Sequence, residues 1–351
     1  MWSPPPSCRG NLAVDALGVA MSARPQLASV AAVAVLLAGV GGCGGDDDDD
    51  GTPGTGGRSP ADCSGVITFA DEALEARVRE SLRTPTGDIL AADAVELATL
   101  EVRRAGVEDL AGIECLQGLE RLRLPSNNIT DIEPVSPLAR LVYLDLGSNN
   151  ISDLEPLSGL PELDTLLLDN DGISDLEPLA ELASVTWLVL SYNRIEDLAP
   201  LSGLTALSSL YLTSNNVSDL TPVSELSNLS GLYVGFNEIS DLRPLAGLTA
   251  LEWLDLQYNN ITDVSPIAEL TQLPWLDLAG NAVTDLEPLS GMTSLRYLSL
   301  ANNAVTDLAA LVDLAELTEL IVQGNPIDCT EQEANLQMLR DGGVSVSTDC
   351  P

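Results

Sequence analysis

A 22-residue pattern recurs along most of this chain, with no insertion between copies. One copy is marked by Leu251, Leu254, Leu256, Asn259, Ile261, Asp263, Val264, Pro266 and Ile267. The copy before it carries Leu229, Leu232, Val234, Asn237, Ile239, Asp241, Leu242, Pro244 and Leu245. The copy after it carries Leu273, Leu276, Leu278, Asn281, Val283, Asp285, Leu286, Pro288 and Leu289. The Asn serves as a register mark and falls at Asn127, Asn149, Asn193, Asn215, Asn237, Asn259, Asn281, Asn303 and Asn325. The two remaining register points hold Ala105 and Asp171, which makes eleven repeats. A unit this short cannot bury its own apolar face, so the copies must stack into a solenoid whose stability comes from contacts between neighbours.

The Leu-x-Leu alternation predicts a short strand in each copy with its Leu side chains turned inward, and stacked copies predict one parallel sheet. An inward Asn, with two donors and one acceptor oxygen, can satisfy backbone groups where the strand bends away. Asp263 and its equivalents suit turns or helix N-caps, and Pro266 and its equivalents suit the first turn of a short helical segment.

The L-x-x-L-x-L-x-x-N pattern resembles the leucine-rich repeat family, and the short form with Asp and Pro after the Asn is similar to the bacterial internalin type. The resemblance covers about residues 66–351. It implies an α/β repeat solenoid: a horseshoe with a parallel concave β-sheet, a convex side of short 3-10 segments and turns, a helical N-terminal cap and an α/β C-terminal cap. It also implies a role in non-covalent recognition of another protein.

At the N-terminus, residues 1–20 differ in composition from the rest of the chain. They belong to the leader or lie before the true start, for which Met21 is the better candidate. Residues 21–42 read as a signal peptide, with Arg24 before an apolar run from Leu27 to Val40 that is too short to span a membrane. Val40-Gly41-Gly42-Cys43 resembles the bacterial lipobox, which implies that Cys43 becomes a lipidated N-terminus. Ordinary secretion without the lipid is the alternative. Residues 43–62, with five consecutive Asp at 46–50 among Gly, Thr, Pro and Ser, have the composition of a flexible acidic linker. No Gly turn or closing Glu accompanies that Asp run to make it a calcium loop.

Residues 63–96 are expected to cap the first repeat, with Asp71 opening a helix that carries Leu74, Val78 and Leu82 on one face and ends at Thr84-Pro85. Residues 97–328 hold the eleven repeats, and the last is expected to fray at Ala310, where the others carry Pro. Residues 329–351 are expected to form the closing cap, with Thr330 and Glu333 as a capping box, Leu336 and Leu339 on a helix, and Val344 and Val346 on a strand.

Four of the six cysteines, Cys63, Cys115, Cys329 and Cys350, sit near the two ends of the repeat array. An exported chain with an even number of Cys implies disulfides. Many strands at about 4.8 Å each separate the two ends, which leaves Cys63–Cys115 and Cys329–Cys350. Zinc is disfavoured, because there is no His and no C-x-x-C spacing.

Counted back from the Asn mark, positions −6, −4 and −2 should face solvent from the concave sheet, with −1 at its rim. Eleven aromatic residues lie C-terminal to Cys43, and ten occupy these positions. Position −6 carries Tyr143, Trp187, Trp253, Trp275 and Tyr297, and position −4 carries Tyr211 and Tyr233. Position −2 is mostly small or polar, so ridges of rings should stand beside a shallow floor. Such rings dominate binding hot spots. Cross-strand packing for stability alone is the competing account, and it is preferred for the rim residues Tyr192, Phe236 and Tyr258.

Asp145, Asp169, Asp255 and Asp277 lie on the same face, and Arg103, Arg104, Arg121 and Arg123 cluster at its N-terminal end. That gradient could orient a partner, or the Arg group could simply balance a very acidic chain.

The formal charge of −38 and a pI near 4.1 exclude a nucleic-acid partner, because an anion has no counterion release to gain from phosphates. Without His there is no Ser-His-Asp or Cys-His pair, and an Asp repeated in ten copies is architecture rather than an active site. No catalysis, cofactor or metal is expected, and a monomer is. The expected function is recognition of a protein partner through Tyr143, Trp187, Tyr211, Tyr233, Trp253, Asp255, Trp275, Asp277 and Tyr297. The alternatives are glycan binding by the same rings and a passive envelope spacer. The expected location is the bacterial surface or outer membrane, held by the lipid on Cys43.

Overall fold

The computed structural model of the protein describes residues 63–350. The leader, Cys43 and the linker 43–62 lie outside the described residues.

Eleven three-residue strands succeed one another at the repeat spacing: β3 (Thr99–Glu101), β4 (Arg121–Arg123), β5 (Tyr143–Asp145), β6 (Thr165–Leu167), β7 (Trp187–Val189), β8 (Ser209–Tyr211), β9 (Gly231–Tyr233), β10 (Trp253–Asp255), β11 (Trp275–Asp277), β12 (Tyr297–Ser299) and β13 (Glu319–Ile321). With β14 (Ser345–Ser347) they form one twelve-stranded sheet in chain order. Each pair is parallel and in register, as in Trp253 beside Trp275, Leu254 beside Leu276 and Asp255 beside Asp277. The central Leu of every strand points inward, and Leu122, Leu144, Leu210, Leu232, Leu254 and Leu276 are fully buried. Each such side chain contributes about 2 kcal/mol, and only because the next repeat covers it.

The return path of each repeat is a 3-10 turn, such as Ser265–Ile267 with Pro266 inside it. The preceding Asp acts as a turn residue rather than a helix cap: Asp263 Oδ1 accepts from the Ser265 N–H at 2.8 Å. The last repeat does not fray at Ala310. It keeps the 3-10 turn Ala309–Leu311, and Asp307 Oδ1 accepts from Ala309 N–H at 2.9 Å. The Asp, which supplies a hydrogen bond, outweighs the missing Pro, which only pre-sets φ.

The inward Asn side chains knit neighbouring repeats. Asn259 is buried, and its Nδ2 donates to the carbonyls of Val234, Leu256 and Gln257 at 2.9, 3.1 and 3.2 Å. Its Oδ1 accepts from Ile239 N–H at 2.9 Å, so one side chain satisfies backbone groups of two repeats.

At the N-terminal end, β1 (Val66–Ile67) pairs antiparallel with β2 (Ile89–Leu90). Helix α1 (Glu72–Leu82) lies between them in the chain, and the four-residue α2 (Ala91–Ala94) comes after β2. The Asp71 side chain caps α1 by accepting from Ala73 and Leu74 N–H. The helix ends one residue before Thr84, at Arg83, which takes the left-handed conformation with φ 57°. At the other end, α3 (Glu333–Asp341) precedes β14. Thr330 does not form a capping box there. The helix starts after Gln332, which makes no side-chain cap, and Asp328 Oδ1 accepts from Thr330 and Glu331 N–H instead. A carboxylate two residues upstream is the stronger acceptor for those free amides.

Disulfides close both ends: Cys63–Cys115 spans 52 residues and Cys329–Cys350 spans 21. A loop of the shorter length is worth about 3 kcal/mol through lost chain entropy.

Candidate functional site

Strand pleating sends the residues beside each central Leu to the outer face of the sheet, and stacking at about 4.8 Å sets equivalent residues side by side. The candidate residues therefore fall into two columns, one on each side of the buried Leu column. The N-terminal end of this face is a closed charge network. Arg123 Nε lies 3.3 Å from Asp145 Oδ2, and its Nη1 lies 3.5 Å from Glu101. Arg103 pairs with Glu101 at 3.6 Å. The Arg121 guanidinium carbon lies 4.2 Å from the centre of the Tyr143 ring. Arg103, Arg121 and Arg123 are thus engaged within the chain, which favours charge balance over steering of a partner by these three.

The middle of the face is a diagonal stack of rings. Trp187 and Tyr211 have centroids 5.3 Å apart at a 32° tilt, and Tyr211 and Tyr233 stack at 4.2 Å and 4°. Tyr233 leans back over Gly231, where a Cβ would stand 3.1 Å from the ring, so Gly at that point makes room for the stack. Burial pushes the Tyr211 hydroxyl well above its ordinary pKa, and the Tyr233 hydroxyl beside it reinforces the shift. The indole N–H of Trp187 is buried with no acceptor among the described residues. Further along, Trp253 and Trp275 are register neighbours, and Trp275 stacks on Tyr297 at 4.9 Å and 6°. All seven rings of these two columns, Tyr143 included, are half-buried.

The rim is more open, with Tyr192 55% and Phe236 39% exposed. Phe236 stacks on Tyr258 at 4.4 Å. Most rim positions adopt positive φ, including Tyr192 at 60°, Phe236 at 56° and Tyr258 at 49°. That conformation disfavours bulky side chains, so three rings there carry strain that Ser148 or Ser214 at the same position carries less of.

The carboxylates are more deeply covered than an outward position suggests. Asp145, Asp255 and Asp277 are 4%, 7% and 8% exposed. The shallow floor is partly filled by them: a Cβ on Gly235 would stand 3.0 Å from Asp255 Oδ1. In a ladder whose strands are this close, long neighbours roof over a short side chain. Burial raises the Asp255 carboxyl above its usual range, opposed by hydrogen bonds from the Gln257 N–H and side-chain amide. Burial raises Asp277 to about 6, with the Ala279 N–H opposing and the Asp255 charge reinforcing. Asp169 also rises to about 6, from burial and then from the nearby Asp145 charge.

Two features of this region were not visible from the single chain pattern. One is the internal capture of Tyr143 and Asp145 by Arg121 and Arg123, which only a column-by-column comparison of adjacent repeats would have exposed. The other is the unpaired carboxyl oxygen of Asp171, whose place at a ladder point the register had already marked. Asp171 Oδ1 accepts from Asn149 N–H at 2.8 Å, and its buried Oδ2 has no partner. Among the described residues no group of three or more His, Cys, Asp or Glu side chains could hold a metal ion, and no helix is long and apolar enough to cross a membrane.

A leucine-rich repeat family profile matches residues 117–173 and 227–283, and a second profile for two-copy leucine-rich repeats matches 183–225 and 271–312. No curated protein sequence matches the chain. Among solved structures, it is similar to an internalin (inlF) from Listeria monocytogenes, with TM-score 0.70 and 28% identity over 80% of this chain and 90% of that one. It is also similar to internalin C2 of the same organism, with TM-score 0.52 and 31% identity over 66% of this chain and 94% of that one. A third similar structure is the functional domain of InlJ from Listeria monocytogenes, which includes a cysteine ladder. There the TM-score is 0.68 and the identity 25%, over 80% of this chain and 60% of that one.

Proposed function

The chain belongs to the leucine-rich repeat family, in its bacterial internalin-like group, and on that premise we propose that it is a non-catalytic module that recognises another protein across the outer face of its sheet. The observation that carries this reading is the gathering of seven half-buried Tyr and Trp rings on that one face. Side chains of this kind offer large, rigid contact area with a polar tip.

The test is a pull-down with the protein and with a Trp187→Ser, Trp253→Ser, Trp275→Ser variant matched to it by circular dichroism. A protein captured by the native chain should be reduced at least tenfold on the variant. Equal capture by both would reduce the rings to scaffold. Glycan binding is the second reading, favoured by the adjacent Trp253 and Trp275 with a carboxylate beside each. It predicts captured material that survives protease and is lost after periodate oxidation.

The location proposed is the bacterial envelope outside the cytoplasm, with the chain held by a lipid on Cys43. The Cys63–Cys115 and Cys329–Cys350 bridges support export to an oxidising compartment. In the producing cell, metabolic labelling with an alkynyl fatty acid should tag the native protein and not a Cys43→Ser variant. Equal labelling of the two would remove Cys43 as the anchor.

A further inference from the structure

The first aromatic–aspartate pair on the sheet face is filled from within the chain. Tyr143 and Asp145 flank Leu144, and the preceding strand sets Arg121 beside Tyr143 and Arg123 beside Asp145. One guanidinium lies over the ring at 4.2 Å, and the other meets the carboxylate at 3.3 Å. Such a pair therefore accepts cations in two ways at once, by the ring face and by the charge.

The same pair occurs twice more, at Trp253 with Asp255 and at Trp275 with Asp277, on adjacent strands. Neither has an arginine from its neighbours. Before β10 the register offers Gly231 and Tyr233, and after β11 it offers Tyr297 and Ser299. None of the ion pairs among the described residues includes Asp255 or Asp277. From residue 195 to 350 the only cationic side chains are Arg243, Arg296 and Arg340. Arg243 is held by Asp241 at 2.6 Å, Arg296 by Glu316 at 3.5 Å, and Arg340 sits on α3. The two carboxylates are left with neutral donors alone: the Gln257 backbone and side chain for Asp255, and the Ala279 N–H and the Ser299 side chain for Asp277.

We infer that Trp253, Asp255, Trp275 and Asp277 form a receptor site for the guanidinium or ammonium groups of a basic polypeptide segment, which brings from outside what Arg121 and Arg123 bring to Tyr143 and Asp145. This rests on the protein-recognition reading above and gives that partner its chemistry. The charge complementarity is local. A buried, under-compensated carboxylate attracts an arriving cation more strongly than the many exposed acids do, because water screens those. The neighbouring Trp187–Tyr211–Tyr233 stack lies on the preceding strands of the same face and suits the apolar side chains of the same segment.

The test is selection of a displayed library of random dodecapeptides on the purified protein and on three variants, with titration of the selected peptides afterwards. The variants are Asp255→Asn with Asp277→Asn, Trp253→Ser with Trp275→Ser, and Glu225→Gln with Glu269→Gln. The last removes the same two charges from outside the sheet face. Peptides selected on the native chain should be enriched in Arg and Lys. They should bind at least tenfold more weakly to the first two variants and equally well to the third. Basic peptides that bind the Asn variant as well as the native chain would show general attraction to an acidic protein and overturn the site. Selection of neutral or acidic peptides that depend on the Trp residues would overturn the cation site and leave protein recognition standing. Selection of no peptide above the Asn variant would also overturn it, and the pull-down would then decide the broader reading alone.

Discussion

Replacing Asp171 by Asn is expected to stabilise the protein, by about 1.5 kcal/mol at pH 5 and by roughly 4 kcal/mol at pH 8. Asp171 stands at a register point that holds Asn in nine other repeats. Each such Asn donates from Nδ2 to the carbonyls 25 and 3 residues earlier, as Asn193 does to Leu168 and Leu190 at 2.8 and 2.9 Å. By the same register, the buried Oδ2 of Asp171 is set toward the carbonyls of Leu146 and Leu168. An ionised carboxylate there faces acceptors with nothing to donate, whereas a protonated one can donate its O–H.

Burial is the main cause that raises this carboxyl to about 7. The Asn149 and Ile151 N–H groups oppose the rise, and the Asp169 and Asp145 charges add to it. A folded-state pKa above the unfolded value of about 3.9 means that the acid's stabilising form is fully present below about pH 4 and is lost as pH climbs through about 7. The Asn side chain does not titrate, so the difference between the two proteins should grow over that window and level off above about pH 8. Urea denaturation monitored by circular dichroism at pH 5, 6.5 and 8 measures it. An equal midpoint shift at all three values would mean that Asp171 stays ionised in the fold.

Asn259→Ala is expected to destabilise by roughly 3 kcal/mol, several times the effect of an ordinary surface change. The substitution leaves the Ile239 N–H without its acceptor at 2.9 Å and removes one of two amide donors from each of the Val234 and Leu256 carbonyls, which keep Asn237 Nδ2 at 3.0 Å and Asn281 Nδ2 at 2.9 Å. The orphaned amide lies between packed repeats where water cannot replace the lost side chain, so it costs about 1–3 kcal/mol, and the bond lost from each carbonyl adds about 0.5–1 kcal/mol. The damage should also be local. Native-state hydrogen exchange should show amides of the repeats beside Asn259 opening at lower free energy, while those near Cys63–Cys115 keep their protection. Uniform loss across the sheet would show instead that the array opens as one cooperative unit.

The strand positions and the parallel register were legible because the Leu columns have one period throughout. The register could be carried across Ala105 and Asp171, where the Asn mark is missing. What the pattern did not carry was the lateral relation between columns. Whether Asp255 faces water or sits under its neighbours depends on side chains 22 residues away, which a period along the chain does not rank. The lean of Tyr233 over Gly231 is of the same kind, although a Gly in a column otherwise rich in rings was a cue to it. At the C-terminal helix the ambiguity is local. Thr330 with Glu333 has capping-box spacing, but Asp328 takes the free amides first.

The two disulfides close loops at the two extremes of an array in which each repeat is bonded only to its neighbours. Under tension applied between residues 63 and 350, neither terminal loop can release chain. Residues 63–115 and 329–350 would move as locked blocks, and extension must come from the repeats between them. Each repeat released returns about 75 Å of slack. Stretched in this way, the array would lengthen only between two fixed blocks and would have an intact end on either side from which to refold.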